Sequence, residues 1–127
     1  PKGVEIPHGA VANFLLSMRD QPGMTADDAL LAVTTISFDI AVLELYLPLV
    51  AGARVVICSE HDVLDGHRLM ALLEDSITVM QATPATWKLL IASGWRGQSS
   101  LRILCGGEAL SRSLADELLQ RAGSVWN

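Results

Sequence analysis

Short apolar runs alternate with amphipathic segments along the whole chain, and this alternation limits the possible folds more than any other feature. The runs read as buried strands and lie at residues 30–34, 54–58, 77–80 and 101–105, with a last strand beginning near residue 124. The segments between them have helical spacing and lie at residues 7–18, 39–50, 65–75, from 83 onward, and 111–121. Strands that alternate with helices form largely parallel sheets covered by the helices. We therefore predict an α/β fold with a mostly parallel sheet flanked by helices.

Residues that start and stop helices mark the predicted boundaries. Thr83 followed by Pro84 predicts a helix start. The Thr83 hydroxyl can cap the first turn, and proline suits the first helical position because its missing N–H would have no partner within the helix. Ser111 predicts another helix start. Gly52 and Gly123 predict the ends of the helices at 39–50 and 111–121.

Length and charge restrict the classes of function. A chain of 127 residues that is 50% hydrophobic can bury one sizeable core, so we predict a single domain. A net charge of −5 without a Lys/Arg cluster argues against nucleic acid or an anionic membrane as the main partner. The longest apolar stretch, 40–53, is broken by Glu44 and Pro48 and is too short to span a bilayer. We expect a cytoplasmic protein whose partner is a small molecule or another protein.

The cysteines and histidines do not predict a metal site. Cys58 and Cys105 lie far apart and lack metal-ligand spacing, so we expect reduced, buried thiols. His8, His61 and His67 show neither metal nor triad spacing.

Polar and glycine-rich segments follow three of the predicted strands. Ligands of such sheets bind beyond the carboxyl ends of the strands, so the segments 37–39, 81–83 and 106–108 should converge on one cleft. The spacing of Asp39, Ile40 and Leu43 places all three on one side of a helix start. This would set one carboxylate among apolar neighbours.

Residue types alone leave two interpretations of each of these features. Asp39 can cap its helix, which is the commoner use of a carboxylate there, or it can bind a ligand ammonium group. Gly106 and Gly107 can form a tight turn or allow close approach of a ligand to the backbone.

Read together and in order, these segments resemble the adenylation domains of nonribosomal peptide synthetases. Residues 38–41 read Phe-Asp-Ile-Ala, which is similar to the family's Phe-Asp-x-Ser motif, although Ala41 replaces the usual serine. The other matching segments are 1–3, which resembles the end of the phosphate loop, and 47–53, 81–84, 104–110 and 125–127. The resemblance covers the whole chain. It implies that residues 1–127 are a partial domain, an internal fragment of the large N-terminal subdomain of an adenylate-forming enzyme, which is expected to be inactive alone.

The resemblance also implies a chemistry. An amino-acid carboxylate would attack the α-phosphate of ATP, with Mg²⁺ bound to the nucleotide, and the aminoacyl group would pass to the phosphopantetheine thiol of a peptidyl carrier protein beside neighbouring synthetase modules. By position, Asp39 would pair with the α-ammonium and Phe38 would lie beside the substrate carboxylate, although Phe38 can also be a core aromatic. The residues implied to contact ATP are Lys2, Gly107, Glu108, Ala109 and Asn127. Lys2 can equally be a solvated surface residue.

The side chains that the family places around the substrate imply a specificity. In this chain they are Asp39, Ile40, Leu43, Gln81, Leu104 and Gly106, a string that resembles the one associated with glycine. We expect a shallow pocket in which a larger side chain would meet overpacked apolar groups, costing roughly 1–3 kcal/mol. Alanine is the nearest alternative, because one methyl group is weakly discriminated. An aryl or fatty acid ligase would share the fold, but its substrates lack the ammonium that Asp39 would bind. A non-enzymatic binding module is a further alternative.

Overall fold

Five parallel strands form one sheet in the computed structural model, which describes residues 3–74 and 76–127. The strands are β1 (Ala29–Ala32), β2 (Arg54–Ile57), β3 (Val79–Ala82), β4 (Gln98–Cys105) and β5 (Ala122–Trp126). The helices are α1 (His8–Met18), α2 (Ala41–Ala51), α3 (Glu60–Leu64), α4 (Gly66–Leu73), α5 (Pro84–Ala92) and α6 (Arg112–Leu119), and a π-helical turn at Arg19–Gly23 follows α1. The sheet order is β2-β1-β3-β4-β5. The predicted mostly parallel α/β fold is confirmed.

Helices cover both faces of the sheet, and this explains why its central strands are apolar throughout. All four residues of β1 and all four of β3 are buried. Alternate side chains divide between two cores, with Leu30 in the core that also holds residues of α1 and α2. Leu31 lies in the opposite core, which holds residues of α4, α5 and α6.

The strand register aligns the carboxyl ends of the strands on one edge of the sheet. Gln81 on β3 pairs with Leu104 on β4, and Leu104 pairs in turn with Trp126 on β5. The strand order reverses between β1 and β3, because β2 lies outside β1 and β4 outside β3. A parallel sheet opens a crevice at such a reversal.

Most of the predicted helix caps are present. The Thr83 hydroxyl accepts a hydrogen bond from the backbone N–H of Thr86 at 3.4 Å, and Ser111 accepts one from Leu114 at 3.3 Å. Gly52 ends α2 in the left-handed conformation with φ of 73°. These local signals were sufficient to place the corresponding boundaries.

The prediction that Gly123 ends the last helix is wrong. The helix α6 stops at Leu119, and Gly123 lies inside β5. A Cβ atom at this position would overlap the carbonyl oxygen of Ser99. Glycine is therefore required here because β5 passes close to the backbone of β4.

Other boundaries differ by a few residues. The helix predicted at 39–50 begins at Ala41, and the helix predicted at 65–75 is preceded by the separate short helix α3. Asp65 ends α3 and caps α4, because its carboxylate accepts hydrogen bonds from the N–H groups of His67 and Arg68. β4 begins at Gln98, three residues before the predicted start.

Candidate functional site

A cavity of about 790 Å³ lies beyond the carboxyl edge of the sheet, at the reversal of strand order. Its walls come from the segments that follow β1, β3, β4 and β5, together with the turn after α1. The residues that sequence reasoning selected and that line it are Phe38, Asp39, Ile40, Leu43, Gln81, Leu104, Gly106, Gly107, Glu108 and Asn127. The structure thus brings together the three segments expected to converge. Their roles as ligand contacts stay predictions.

Asp39 does not cap the helix that follows it. The N-cap residue of α2 is Ile40, which makes no side-chain capping bond, and the turn before it is closed by backbone bonds such as Val42 N–H to the Asp39 carbonyl at 3.0 Å. The Asp39 side chain is exposed to the cavity and has no hydrogen-bond or ion-pair partner within residues 3–74 and 76–127. The capping interpretation is therefore wrong, and this carboxylate is available to a ligand.

Apolar side chains form the wall next to Asp39. Leu43 and Leu104 are buried, and Ile40 is half-buried. Phe38 is 64% exposed, so its interpretation as a core aromatic is wrong. The exposed Asp39 therefore lines the cavity together with the buried apolar residues Leu43 and Leu104.

A buried polar cluster lies under this wall and joins Glu44 on α2 to Thr34 after β1 and Gln81 on β3. Oε2 of Glu44 accepts hydrogen bonds from the N–H groups of Val33 at 2.8 Å and Thr34 at 2.9 Å. Oε1 accepts one from the Thr34 hydroxyl at 2.6 Å. Because that hydroxyl has a single hydrogen, the Gln81 group 3.1 Å from it must be the donating amide nitrogen. The same nitrogen donates to Glu44 Oε1.

Glu44 is 0% exposed, and sequence reasoning treated it only as an interruption of an apolar stretch. Burial raises the pKa of its carboxyl above the ordinary value, and the hydrogen bonds from Thr34 and Val33 oppose this rise in part. A sequence signal was present: Ala41, Leu47 and Pro48, three or four residues away, are all buried on α2. The helical spacing of these residues by itself indicates that Glu44 lies on the buried face of α2.

The Gly106-Gly107 pair forms a tight turn after β4. Gly107 has φ of +82°, which favours glycine, and Gly106 has open space around the position of a Cβ atom. The Gly106 N–H donates to the Ala82 carbonyl at 3.3 Å, so the turn continues the pairing of β3 and β4. The tight-turn interpretation is confirmed, and the backbone of this turn lines the cavity.

The remaining predicted nucleotide contacts are not all in the cavity. Asn127 donates through Nδ2 to the Cys105 carbonyl at 2.6 Å, which leaves its Oδ1 as an acceptor. Ala109 is exposed and is not among the lining residues. Lys2 lies outside the described residues. Residues missed by sequence reasoning, including Met18, Gln21 and Trp126, complete the walls.

The described lining of the cavity carries the carboxylates of Asp39 and Glu108 and no Lys, Arg or His side chain. Within residues 3–74 and 76–127, no group of three or more His, Cys, Asp or Glu side chains is placed to hold a metal ion. Of the helices in that part of the chain, none has the length and apolar character needed to cross a membrane. The two cysteines are unpaired; Cys105 is buried as predicted, whereas the prediction that Cys58 is buried is wrong, because this residue is only half-buried.

This fold and cavity define a doubly wound α/β architecture with a cavity at the topological switch point, where sheets of this kind bind ligands. The chain belongs to the AMP-binding enzyme family, which matches residues 1–127.

Individual relatives are nonribosomal peptide synthetases. The chain is 52% identical over its whole length to the PKS-NRPS hybrid synthetase acdB of Aspergillus candidus, of which it covers 5%. It is 44% identical, again over its whole length, to a dimodular nonribosomal peptide synthase of Bacillus subtilis, of which it also covers 5%.

Among solved structures, a crystal structure of holo-AB3403, a four-domain nonribosomal peptide synthetase bound to AMP and glycine, superimposes with a TM-score of 0.95 at 50% identity. The alignment covers 100% of this chain and 10% of that one. These findings confirm the resemblance that the ordered motifs indicated. The chain spans only a small part of each of these relatives.

Proposed function

We propose that this chain forms the amino-acid pocket of a nonribosomal peptide synthetase adenylation domain, and that the complete enzyme activates glycine with ATP. The observation that carries the proposal is the Asp39 carboxylate, which has no partner among the described residues and lines the cavity beside the apolar residues Ile40 and Leu43. The substrate carboxylate oxygen would attack the α-phosphorus of ATP, forming glycyl-AMP and releasing pyrophosphate. The thiol of a carrier-protein phosphopantetheine would then take the glycyl group and release AMP.

An ammonium group is the ligand chemistry that best suits Asp39. A carboxylate beside Leu43 and Ile40 is costly to desolvate when a ligand fills the cavity, unless the ligand supplies charge and N–H donors. An α-ammonium supplies both. The absence of any cationic side chain from the described lining means that no protein group there competes for this role.

Glycine is the proposed substrate because the groups next to Asp39 leave no partner for a long or charged side chain. Leu43 and Leu104 are apolar and buried, and the Gln81 amide is engaged by Thr34 and Glu44. The glycine in the holo-AB3403 structure, which is 50% identical to this chain, supports the proposal. Alanine is the second candidate.

An aryl or acyl adenylate-forming ligase is the alternative enzyme class. Its substrates carry no ammonium group, so a bound substrate would desolvate the Asp39 carboxylate without pairing it, and this would lower the affinity for that substrate. The Asp39 carboxylate therefore favours an amino acid over an aryl or fatty acid as the substrate.

The nucleotide would lie towards the opposite end of the cavity. The backbone at Gly107 and Glu108 can form one wall for the adenine, and Asn127 Oδ1 can accept a hydrogen bond from its amino group. Mg²⁺ would accompany the ATP phosphates. The partners proposed for the complete enzyme are a carrier protein and neighbouring modules, and the proposed location is the cytoplasm.

The test is amino-acid-dependent pyrophosphate exchange by the complete adenylation domain, with glycine, alanine, valine, glutamate and benzoate compared at equal concentrations. We expect glycine to give the highest kcat/KM and alanine to follow. A clear preference for valine would contradict the proposed specificity. Exchange driven by benzoate and not by any amino acid would contradict the proposed class.

A further inference from the structure

Glu44 is the one charged side chain that is buried among the described residues, where it is 0% exposed. It belongs to α2, but its carboxylate lies against the end of β1 and the side chain of Gln81 on β3. It is absent from the lining of the cavity, whereas Val33, Thr34 and Gln81 all line it. Glu44 therefore lies directly behind three residues of the pocket wall.

The hydrogen bonds of Glu44 leave its carboxylate no free site. A carboxylate has about four lone-pair positions. Here the donors are the N–H groups of Val33 and Thr34, the Thr34 hydroxyl and the Gln81 amide. A fully engaged carboxylate that does not line the cavity cannot act as a base or bind a substrate. Its contact with a ligand is therefore indirect, through the groups that it holds.

Gln81 is the group most affected by this arrangement. A glutamine side chain has three rotatable bonds, and burial in one orientation costs it the freedom to change rotamer. Its nitrogen is fixed by Glu44 and Thr34, and its oxygen accepts from the Ala82 N–H at 3.3 Å. Without the negative charge of Glu44, the amide would lose its strongest partner and could turn towards the cavity.

We propose that Glu44 is a positioning residue that sets the amino-acid selectivity of the pocket by fixing the Gln81 amide and the backbone after β1. This inference rests on the proposed amino-acid activation and names a residue that acts on it from outside the pocket. Glu44→Gln is the sharpest change, because it keeps the shape and replaces one acceptor oxygen with a donor that faces other donors.

The experiment measures pyrophosphate exchange by the complete adenylation domain with glycine and alanine, for wild type, Glu44→Gln, Gln81→Ala and the double variant. We expect Glu44→Gln to lower the glycine-to-alanine ratio of kcat/KM about tenfold, within the range of coupling between residues that share one network. The KM for ATP should stay within about twofold, because the hydrogen-bond partners of Glu44 are Val33, Thr34 and Gln81, none of which belongs to the segment 106–108. In the Gln81→Ala background the effect of Glu44→Gln on the ratio should be smaller, because only the part that passes through the backbone after β1 remains.

Two further variants separate positioning from a general loss of stability. Glu74→Gln makes the same chemical change at an exposed site and should leave the ratio unchanged. Thr34→Val removes the hydroxyl between Glu44 and Gln81 but keeps the buried charge, so it should lower the ratio even if Glu44→Gln does not fold. An unchanged glycine-to-alanine ratio in an active Glu44→Gln or Thr34→Val enzyme would overturn this inference but not the proposed function. A wild-type enzyme that activates no amino acid would overturn the proposed function as well.

Discussion

The hydroxyl of Thr78 donates a hydrogen bond of 2.7 Å to Oδ1 of Asp28, and the two residues are 50 positions apart in the chain. The same hydroxyl accepts the Ala29 N–H at 2.9 Å, and Arg102 Nη1 lies 3.7 Å from Asp28 Oδ2. This cluster joins the start of β1 to the residue before β3 and to β4. It lies at the amino edge of the sheet, away from the cavity.

Asp28→Asn should destabilise the fold and change its response to acid. Burial opposes ionisation of Asp28, but the hydrogen bonds from Thr25 and Thr78 and the charge of Arg102 together hold its pKa below the ordinary value of 3.8. Its contribution is therefore present above pH 3.8 and is lost as the pH falls through the lower folded pKa. We expect Asp28→Asn to lower the free energy of unfolding by about 1–3 kcal/mol at pH 7.

Urea unfolding curves at pH 7 and at pH 3 would measure both effects. The difference between wild type and Asp28→Asn should be smaller at the lower pH. Asp27→Asn, at the exposed neighbouring position, is the matched control and should have the stability of wild type at both pH values. Equal stability of Asp28→Asn and wild type at neutral pH would refute this account of the cluster.

Gly107→Ala should destabilise the turn after β4, whereas Gly106→Ala should not. Gly107 has φ of +82°, where an alanine costs roughly 1–2 kcal/mol. Gly106 has no positive φ, and an added methyl group there would have no atom within 4 Å. Thermal unfolding of the two variants side by side makes the comparison, and a lower Tm for Gly106→Ala than for Gly107→Ala would be the contrary result.

Gly123→Ala should be more damaging than the same change in a helix. Its Cβ would overlap the Ser99 carbonyl oxygen, so β4 and β5 would have to separate, and overpacking of this kind costs about 1–3 kcal/mol. Gly9→Ala in α1 meets nothing within 4 Å and should be neutral or stabilising by about 0.5–1 kcal/mol. A urea midpoint of Gly123→Ala below those of wild type and Gly9→Ala would agree with this, and similar midpoints of the two variants would not.

Cys58 should react slowly with thiol reagents. Burial, together with the negative charges of Asp62 and Glu44, raises the pKa of its thiol from 9.0 to about 11. At pH 8 the thiolate fraction is then far below that of a free cysteine, and we expect a rate roughly ten- to a hundredfold lower. The folded state also loses stability as the pH rises from about 9 to 11, because unfolding lets this thiol ionise.

Labelling of a Cys105→Ser variant with Ellman's reagent isolates Cys58 within the chain. The denatured variant in urea provides the reference rate. A native rate equal to the denatured rate would contradict the raised pKa.

The fold was predictable from sequence where local signals and burial agree. The buried strands β1 and β3 are short apolar runs, and the caps at Thr83 and Ser111 are local hydrogen bonds. The polar start of β4 was not predictable in this way. Gln98 belongs to the sheet because it pairs with Ala122 and because its side chain donates to the Ile77 carbonyl at 2.7 Å, and both partners are distant in sequence.

The candidate site was predictable to a similar extent. The rule that ligands bind beyond the carboxyl ends of strands selected the segments containing Asp39, Gln81 and Gly107, which now line one cavity. The buried polar cluster of Glu44, Thr34 and Gln81 was not predicted, because Glu44 contacts Thr34 only when α2 packs against the end of β1. The role of Asp39 depended on whether it capped α2, and only the geometry of the helix start excluded that.

The central claim is that Asp39 binds the ammonium group of an amino-acid substrate, and the most direct measurement is glycine-dependent pyrophosphate exchange by the complete domain carrying Asp39→Asn. Asparagine keeps the size and removes the charge, so the loss of a charged hydrogen bond should reduce kcat/KM for glycine by about 10- to 100-fold. The KM for ATP should be nearly unchanged, and Asp27→Asn should match wild type. Exchange by Asp39→Asn at the wild-type rate and glycine KM would contradict the claim.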